Sequence, residues 1–387
     1  MGAYDTRTAV ALLWLAGVGA RLTVLAVPPV IVFIQRDLDL TGTQIGILSG
    51  LPVILFAVAA LPGALLISRV GALNTLVIGL AVASVASALR GAAPDIWVLY
   101  AGTMLMGAGI AIMQPAAPAL VRQWLPERIG MGSALYTNGL LVGESLPVAL
   151  TVPLVFPLVN DSWRGSLALW GVPLLVFAFV IWRKAPRPQS AGLLGRQRWW
   201  PDWADPLTWK LGLTIGSIMS VYFCTNAFLP GHLTAAGRPD LISITLTAFN
   251  LFQIPASFVL MAVASRVERR LWPFVVVGIA SLLLLAGIVF TASLWTAVFA
   301  AMLGFLLAFP FALGLTLPAF LLTPENIGRA AAAMFALGYA WAMLFSVLGG
   351  MAWDLAGDPR FAFLPVALSA LPLLTLLPTI RMHPVPA

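Results

Sequence analysis

The sequence has very few charged residues and a single cysteine. Charged side chains make up 9% of its 387 residues and hydrophobic side chains 61%, whereas ordinary soluble domains are about 25% charged. This composition excludes a sizeable soluble domain. One cysteine, Cys224, excludes an internal disulfide and a cysteine-built metal cage, so we expect it to be a small packing residue.

The sequence also lacks the motifs of nucleotide-driven chemistry. No Gly-x-x-x-x-Gly-Lys-Ser/Thr loop occurs, which argues against ATP-driven transport by this chain alone. We predict no catalytic residues, no cofactor and no metal, and therefore no enzyme. The N-terminus has one Arg and no small-residue cleavage site before the first span, so we expect this span to be retained and not removed as a signal peptide.

What the sequence does contain is a series of long apolar runs. A membrane-spanning helix needs about 20 such residues, and barrel strands are shorter and alternate in polarity. The predicted fold is therefore an all-α polytopic membrane protein with twelve transmembrane helices. The twelve runs are 8–34, 44–67, 72–90, 95–120, 129–156, 164–182, 208–230, 241–264, 271–290, 294–321, 327–353 and 361–380.

Two short segments are repeated at nearly one offset. Residues 125–130 (Leu-Pro-Glu-Arg-Ile-Gly) return 198 residues later as Thr-Pro-Glu-Asn-Ile-Gly, and residues 68–70 (Ser-Arg-Val) return 197 residues later. Such parallel repeats are typical of secondary transporters. We predict an N-terminal six-helix half at 1–182, a proline-rich and basic cytoplasmic linker at 183–207, and a C-terminal six-helix half at 208–387.

The basic residues are distributed unequally between the two sides of the predicted membrane. Fifteen of the 21 Lys and Arg residues fall in the segments that are internal if both termini are cytoplasmic, and Arg21 falls within a span. This positive-inside pattern predicts cytoplasmic termini and a bilayer, not a nucleic acid, as the partner of this basic chain. Five basic residues are assigned to outer loops: Arg36, Arg90, Arg164, Arg238 and Arg360.

The segment between spans two and three resembles the signature of the major facilitator superfamily, Gly-x-x-x-Asp-Arg/Lys-x-Gly-Arg/Lys-Arg/Lys. Here Arg69 and Gly71 are kept, whereas Ser68 replaces the aspartate and the terminal basic pair is missing. Further motifs resemble the branch of cyanate and 2-nitroimidazole permeases. They are Arg21, Thr23 and Pro28-Pro29, residues 48–53 (Leu-Ser-Gly-Leu-Pro-Val), and residues 107–118 (Gly-Ala-Gly-Ile-Ala-Ile-Met-Gln-Pro-Ala-Ala-Pro).

This resemblance implies a monomeric permease of the bacterial inner membrane for a small organic or inorganic solute, working by alternating access. It also implies that spans one and five are neighbours within the first half. Glu144 in span five departs from the branch, in which small residues are usual at that position.

Two charged side chains lie near the middle of a predicted span, Arg21 in span one and Glu144 in span five. An ionisable group at the bilayer centre costs about 2.5–3.5 kcal/mol on insertion scales, so it normally faces a partner or a cavity. The two residues either form a pair that only neutralises itself or line a solute site. An arginine can bind a planar anionic group with two hydrogen bonds, and a glutamate can hold or release a proton.

Neutral polar residues complete the candidate site. They are Gln114, Asn138, Tyr222, Asn226, Asn250 and Gln253. These side chains either bind the solute or form hydrogen bonds across helices, which are worth about 0.6 kcal/mol each. Trp14, seven residues before Arg21, lies on about the same helical face.

We therefore predict a secondary active transporter of a small polar solute, such as a cyanate-like anion or a nitro-heterocycle, with Glu144 carrying a coupling proton. The alternative is a proton-driven exporter of drugs or metabolites with the same fold, in which Glu144 binds a cationic substrate.

Overall fold

The computed structural model describes residues 6–58, 60–186, 202–267, 270–322 and 324–380, and all regular structure within these ranges is helical. Each of the twelve predicted apolar runs coincides with a helix or an interrupted helix, which confirms the all-α class. Lipid offers no hydrogen-bond partners, and a helix satisfies its backbone polar groups internally. Ten helices in the described ranges are long and apolar enough to cross a membrane.

The remaining two predicted spans are interrupted. The first consists of two helices separated by residues 23–27 and a turn of 3₁₀ helix at Pro28–Val30. Proline has no N–H group and cannot continue the hydrogen-bond ladder of a preceding helix, so Pro28 and Pro29 account for this break. The second span consists of a 17-residue apolar helix and an 11-residue helix.

Clustering of contacts divides the described residues into two compact units. The first unit comprises Met1–Leu38 and Val58–Leu194. Its helices are α1 (Thr6–Leu22), α2 (Ile31–Leu38), α4 (Ala60–Val70), α5 (Ala72–Gly91), α6 (Ile96–Met113), α7 (Ala116–Trp124), α8 (Ile129–Leu150), α9 (Phe156–Leu158) and α10 (Trp163–Lys184). The main contacts of this unit join α1 to α8, α5 to α10 and α5 to α6.

The second unit comprises Asp39–Ala57 and Gly195–Ala387. Its helices are α3 (Gly42–Val58), α11 (Pro206–Ala235), α12 (Ile242–Leu251), α13 (Gln253–Val267), α14 (Trp272–Phe290), α15 (Leu294–Leu321), α16 (Pro324–Ala356), α17 (Phe363–Ser369) and α18 (Leu371–Thr375). Here α11 packs most extensively against α16. Residues 187–201 of the predicted linker lie outside the described residues, so the linker boundaries stay a prediction.

Helix α3 lies in the unit formed mostly by the C-terminal part of the chain, although the sequence assigns it to the N-terminal half. Its start is tied to Asp354 of α16, whose carboxylate accepts hydrogen bonds from the backbone N–H groups of Gly42 (2.5 Å) and Thr43 (2.8 Å). One turn further along, the Ser346 hydroxyl donates to the carbonyl of Gly46 at 2.8 Å. Glycines allow this close approach, because a Cβ at position 46 would collide with the Ser346 backbone.

One of the five basic residues assigned to outer loops is fully buried. Arg90 belongs to the last turn of α5 and has no exposed surface. Arg90 is therefore not an exposed loop residue, whereas the side of the membrane on which it lies stays a prediction. The helix continues past the predicted end of the span, and helices α1, α6 and α10 pack around it.

Candidate functional site

Helices α1 and α8 approach each other so closely that only glycine fits at three of their contact positions. Gly139 and Gly143, one turn apart on α8, form a small-xxx-small pattern that lets helix backbones touch in lipid. A Cβ on any of the three glycines would collide with a backbone carbonyl of the facing helix: Gly17 with Tyr136, Gly139 with Trp14, and Gly143 with Val18. The contact fixes the register of α1 against α8.

This register brings the two intramembrane charges together. Arg21 lies one turn after Gly17, and Glu144 directly follows Gly143. Arg21 Nε and Glu144 Oε1 are 3.3 Å apart, and the two side chains are only 11% and 10% exposed. The structure thus pairs the two charges as an almost fully buried ion pair, which by itself does not decide between self-neutralisation and a solute site.

The position of Arg21 within its helix differs from the sequence expectation. The sequence places Arg21 in the middle of a continuous span, but α1 ends at Leu22. The Arg21 carbonyl accepts hydrogen bonds from the N–H groups of Val24 (3.1 Å) and Leu25 (3.3 Å) in the break. A cation in the last turn of a helix is favoured by the partial negative charge of the free carbonyl groups. The helix end and Glu144 thus both stabilise the guanidinium.

Two further candidates of the first unit differ in their surroundings. The Trp14 indole N–H donates to Asn138 Oδ1 at 2.9 Å, which adds a second polar link between α1 and α8 on the side of the Arg21–Glu144 pair nearer the helix start. Asn138 and Trp14 are half-buried. Gln114 is also half-buried and forms the C-terminal cap of α6, where the chain turns into α7.

In the second unit, three of the predicted residues form one buried hydrogen-bond network. The Tyr222 hydroxyl donates to Asn250 Oδ1 at 2.6 Å, and Asn250 Nδ2 donates to Asn226 Oδ1 at 2.9 Å and to the Leu246 carbonyl at 2.9 Å. Asn226 Nδ2 in turn donates to the Tyr222 carbonyl at 3.1 Å. The amide groups of both asparagines are thus already engaged between α11 and α12.

This network favours one of the two alternatives for the amides. Asn226 and Asn250 are 1% and 0% exposed, and their donors are used within the protein, so they hold helices together as they stand. Gln253 is also buried, and its Nε2 donates to the Asn250 carbonyl at 3.4 Å, which is a weak bond at the limit of normal geometry. The sequence spacing alone could not distinguish this role from solute binding.

The sequence analysis missed the glycines of the α1–α8 contact, because all its candidates are polar side chains. The residues that align Arg21 with Glu144 are glycines, which have no side chain. The Gly-x-x-x-Gly spacing of positions 139 and 143 could have revealed it.

Comparison with known proteins identifies the family. The sequence profile of the Major Facilitator Superfamily matches residues 13–345. Among curated relatives, an uncharacterized transporter of Bacillus subtilis, YycB, is 27% identical over 252 residues, which cover 65% of this chain and 62% of the relative. The 2-nitroimidazole transporter of Escherichia coli is 28% identical over 224 residues, covering 57% and 56%. The Escherichia coli cyanate transport protein CynX is 25% identical over 257 residues, covering 66% of each.

The alignments cover 56–66% of the length of these three relatives, which is less than two thirds in each case. Solved structures share the fold at low sequence identity. A D-xylose–proton symporter superposes with a TM-score of 0.74 at 15% identity and covers 98% of both chains. A bacterial homologue of the lysosomal transporter Spinster superposes with a TM-score of 0.71 at 14% identity, covering 97% of this chain and 95% of the other.

The all-helical fold, the helices long enough to span a membrane and the profile match lead to one conclusion: the chain is a multi-pass membrane protein that belongs to the Major Facilitator Superfamily.

Proposed function

We propose that this protein transports a small anion or a nitro-heterocycle together with a proton, by alternating access in a bacterial inner membrane. The observation that carries the proposal is the buried Arg21–Glu144 pair on α1 and α8. Its residues supply the two chemical functions such transport needs, a fixed donor of two hydrogen bonds and a group that titrates.

Arg21 is the proposed solute anchor. A guanidinium stays charged at any physiological pH and presents parallel N–H groups that match carboxylate-like oxygens. Cyanate and a nitro group are both compact, planar or linear acceptors of hydrogen bonds. The names of two relatives, a 2-nitroimidazole transporter and a cyanate transport protein, support solutes of this kind.

Glu144 is the proposed proton carrier. When an anion binds to Arg21 it competes with the Glu144 carboxylate for the guanidinium. A carboxylate that loses its cation in a poorly hydrated site takes up a proton. Before binding, the site holds Arg21⁺ and Glu144⁻; afterwards it holds Arg21⁺, the anion and neutral Glu144. Its net charge is zero in both states, so a monovalent anion should move with one proton and no net charge.

The test uses purified protein in proteoliposomes with three solutes: cyanate, 2-nitroimidazole and a lipophilic organic cation. We expect an imposed pH gradient to drive accumulation of cyanate, 2-nitroimidazole or both. For cyanate, a membrane potential imposed with potassium and valinomycin should have no effect, because no net charge moves. Accumulation of cyanate driven by the potential alone, or accumulation of the organic cation only, would contradict the proposal; the second result would favour the exporter.

The matched variants are Arg21→Lys and Arg36→Lys. The first keeps the positive charge but loses the planar pair of donors, so transport should fall strongly while the protein is still inserted. The second makes the same change at an exposed arginine outside the candidate site and should transport normally. Normal transport by Arg21→Lys and by Arg21→Ala would rule out the anchoring role.

A further inference from the structure

Arg90 is a second buried arginine, and the proposed transport chemistry does not use it. It lies at the end of α5 with no exposed surface, and it is among the largest fully buried side chains of the described residues. Helix α6 lies directly against its aliphatic stem. A Cβ at Gly102 would be 2.9 Å from Arg90 Cγ, so only glycine permits this contact.

The guanidinium of Arg90 is incompletely satisfied. Nη1 donates to the Thr23 carbonyl at 3.0 Å, in the break that follows α1. Nε and Nη2 have no hydrogen-bond partner among the described residues. Within the same residues no carboxylate lies within ion-pair distance of Arg90, in contrast to the Arg21–Glu144 pair.

Other unsatisfied donors lie on the two segments that contact Arg90. The hydroxyl groups of Thr23, whose carbonyl accepts from Arg90, and of Thr103, which follows Gly102, are fully buried and have no partner in the described part of the chain. Hydroxyl groups and guanidinium N–H groups are all donors suited to an anion.

The buried Arg90 guanidinium needs a compensating negative charge. Arginine is not deprotonated inside proteins, and burying a charge without a partner is strongly unfavourable. The free carbonyl groups at the end of α5 supply only a partial negative charge. A water molecule would accept hydrogen bonds from the free N–H groups but would leave the positive charge uncompensated. An anion would accept these hydrogen bonds and also compensate the charge.

We propose that Arg90, assisted by the hydroxyl groups of Thr23 and Thr103, binds a small monovalent anion such as chloride as a resident ion. A monovalent anion matches the single charge, and the complete burial of the guanidinium favours a small one. Arg90 lies on α5, whereas the Arg21–Glu144 pair lies on α1 and α8, although Thr23 is only two residues from Arg21. The resident ion would hold the break in the first span against α5 and α6.

The test measures the thermal stability of the detergent-purified protein while gluconate is replaced by chloride at constant ionic strength and pH. A ligand that binds the folded state raises the melting temperature with its concentration. For the wild type we expect the melting temperature to start rising once chloride exceeds its dissociation constant, and then to rise with the logarithm of the chloride concentration. Arg90→Lys keeps the charge but loses a charge-assisted hydrogen bond, so the chloride concentration at which the rise begins should be about tenfold higher. Arg36→Lys, the same change at an exposed position, should behave like the wild type.

A second measurement covers the case in which Arg90→Lys does not fold. Crystals of the wild-type protein grown in bromide should show an anomalous peak beside the Arg90 guanidinium. The proposal is overturned if chloride and gluconate give the same wild-type stability, if the rise begins at the same chloride concentration in Arg90→Lys and wild type, or if bromide is absent from Arg90. Because none of these measurements involves transport, a failure here is distinguishable from a failure of the proposed function.

Discussion

At the scale of single residues, the buried pair Arg21–Glu144 contrasts with the exposed pair Asp37–Arg164 of the same unit. The side chains of the exposed pair are 45% and 35% exposed. Exposed ion pairs contribute about 0–1 kcal/mol. Removing one partner of a buried pair costs about 3–5 kcal/mol, because the other charge stays buried. The two pairs therefore give matched tests of charge removal.

Glu144→Gln keeps the shape and polarity of the side chain but removes the titrating proton. We expect this variant to lose accumulation driven by a pH gradient and to retain downhill exchange of solute. It should also be less stable in detergent, since Arg21 loses its carboxylate, and the double variant Arg21→Met, Glu144→Gln should recover that stability. A stable Glu144→Gln protein that still accumulates solute against its gradient would disprove the coupling role.

Asp37→Asn is the control and carries a prediction of its own. Hydrogen bonds from Arg164 and from the Trp163 indole hold the pKa of the Asp37 carboxyl below its ordinary value. A lowered folded-state pKa stabilises the protein above the pKa of the unfolded carboxyl, and that stabilisation is lost as pH falls through the folded pKa. Near neutral pH, Asp37→Asn should lower stability by at most about 1 kcal/mol and leave coupling intact. The difference between variant and wild type should vanish in acid.

At the scale of helices, the α1–α8 contact depends on glycine. Gly143→Ala would place a methyl group against the backbone of Val18, which cannot move independently of α1. We expect the helices to separate, with a loss of about 1–3 kcal/mol of stability and a weaker Arg21–Glu144 contact. Thermal stability in detergent and solute transport should both fall.

Gly130→Ala is the matched control, because it lies in the first turn of the same helix and nothing lies within 4 Å of its Cβ position. Alanine is favoured over glycine in helices by about 0.5–1 kcal/mol, so this variant should be at least as stable as the wild type. Equal behaviour of the two alanine variants would show that α1 and α8 do not need their close contact.

The start of α3 is stabilised from two directions. Thr41 and Gln44 form a capping box, with bonds of 2.9 Å and 3.2 Å between each side chain and the backbone N–H of the other. Asp354 accepts from the next two N–H groups. A carboxylate near the C-terminal end of its own helix, α16, is electrostatically unfavourable, and the N-terminus of α3 offsets this cost.

Asp354→Asn should therefore destabilise the protein by about 0.5–2 kcal/mol, as loss of a helix cap does. The melting temperature in detergent is the measurement. Asp240→Asn is the control, since Asp240 is 59% exposed and its side chain pairs with Arg238; it should change stability very little. A larger loss for Asp240→Asn than for Asp354→Asn would contradict the capping role.

The sequence was sufficient to locate the spans and the two intramembrane charges. It did not predict the side-chain contacts between helices. The length of an apolar run identifies a span. An ionisable residue within a span is conspicuous because placing its charge in the bilayer is energetically unfavourable. The network of Tyr222, Asn226 and Asn250 joins residues 24 and 28 positions apart, and only the packing of α11 on α12 brings these side chains within reach. The burial of Arg90 was missed because it depends on how α6 and α10 pack against α5, and its hydrogen bond to the Thr23 carbonyl depends on the break after α1.

At the scale of the whole molecule, the orientation in the membrane stays a prediction that the single cysteine makes easy to test. Cys224 is fully buried, near the hydroxyl of Ser220 at 3.8 Å, so Cys224→Ser should give a folded protein without thiols. In that background, new cysteines at Pro94 and Asn160 should react with a membrane-impermeant maleimide on intact cells.

A cysteine at Ser190, a position outside the described residues, should react only after the cells are broken. The positive-inside distribution of basic residues is the physical reason for this orientation. Labelling of position 190 on intact cells would overturn the predicted topology. The Cys224→Ser protein without added cysteines is the control that measures background labelling.

The pairing of Arg21 with Glu144 also has a consequence for how the protein is made. Glu144 follows Arg21 by 123 residues in the chain. At about 5–20 residues per second, the ribosome completes α8 roughly 6–25 seconds after Arg21 has been synthesised. For that time Arg21 lacks its carboxylate partner, because three spans lie between the first and the fifth in the chain. We therefore expect the first span to gain stability in the membrane when the fifth span is inserted beside it.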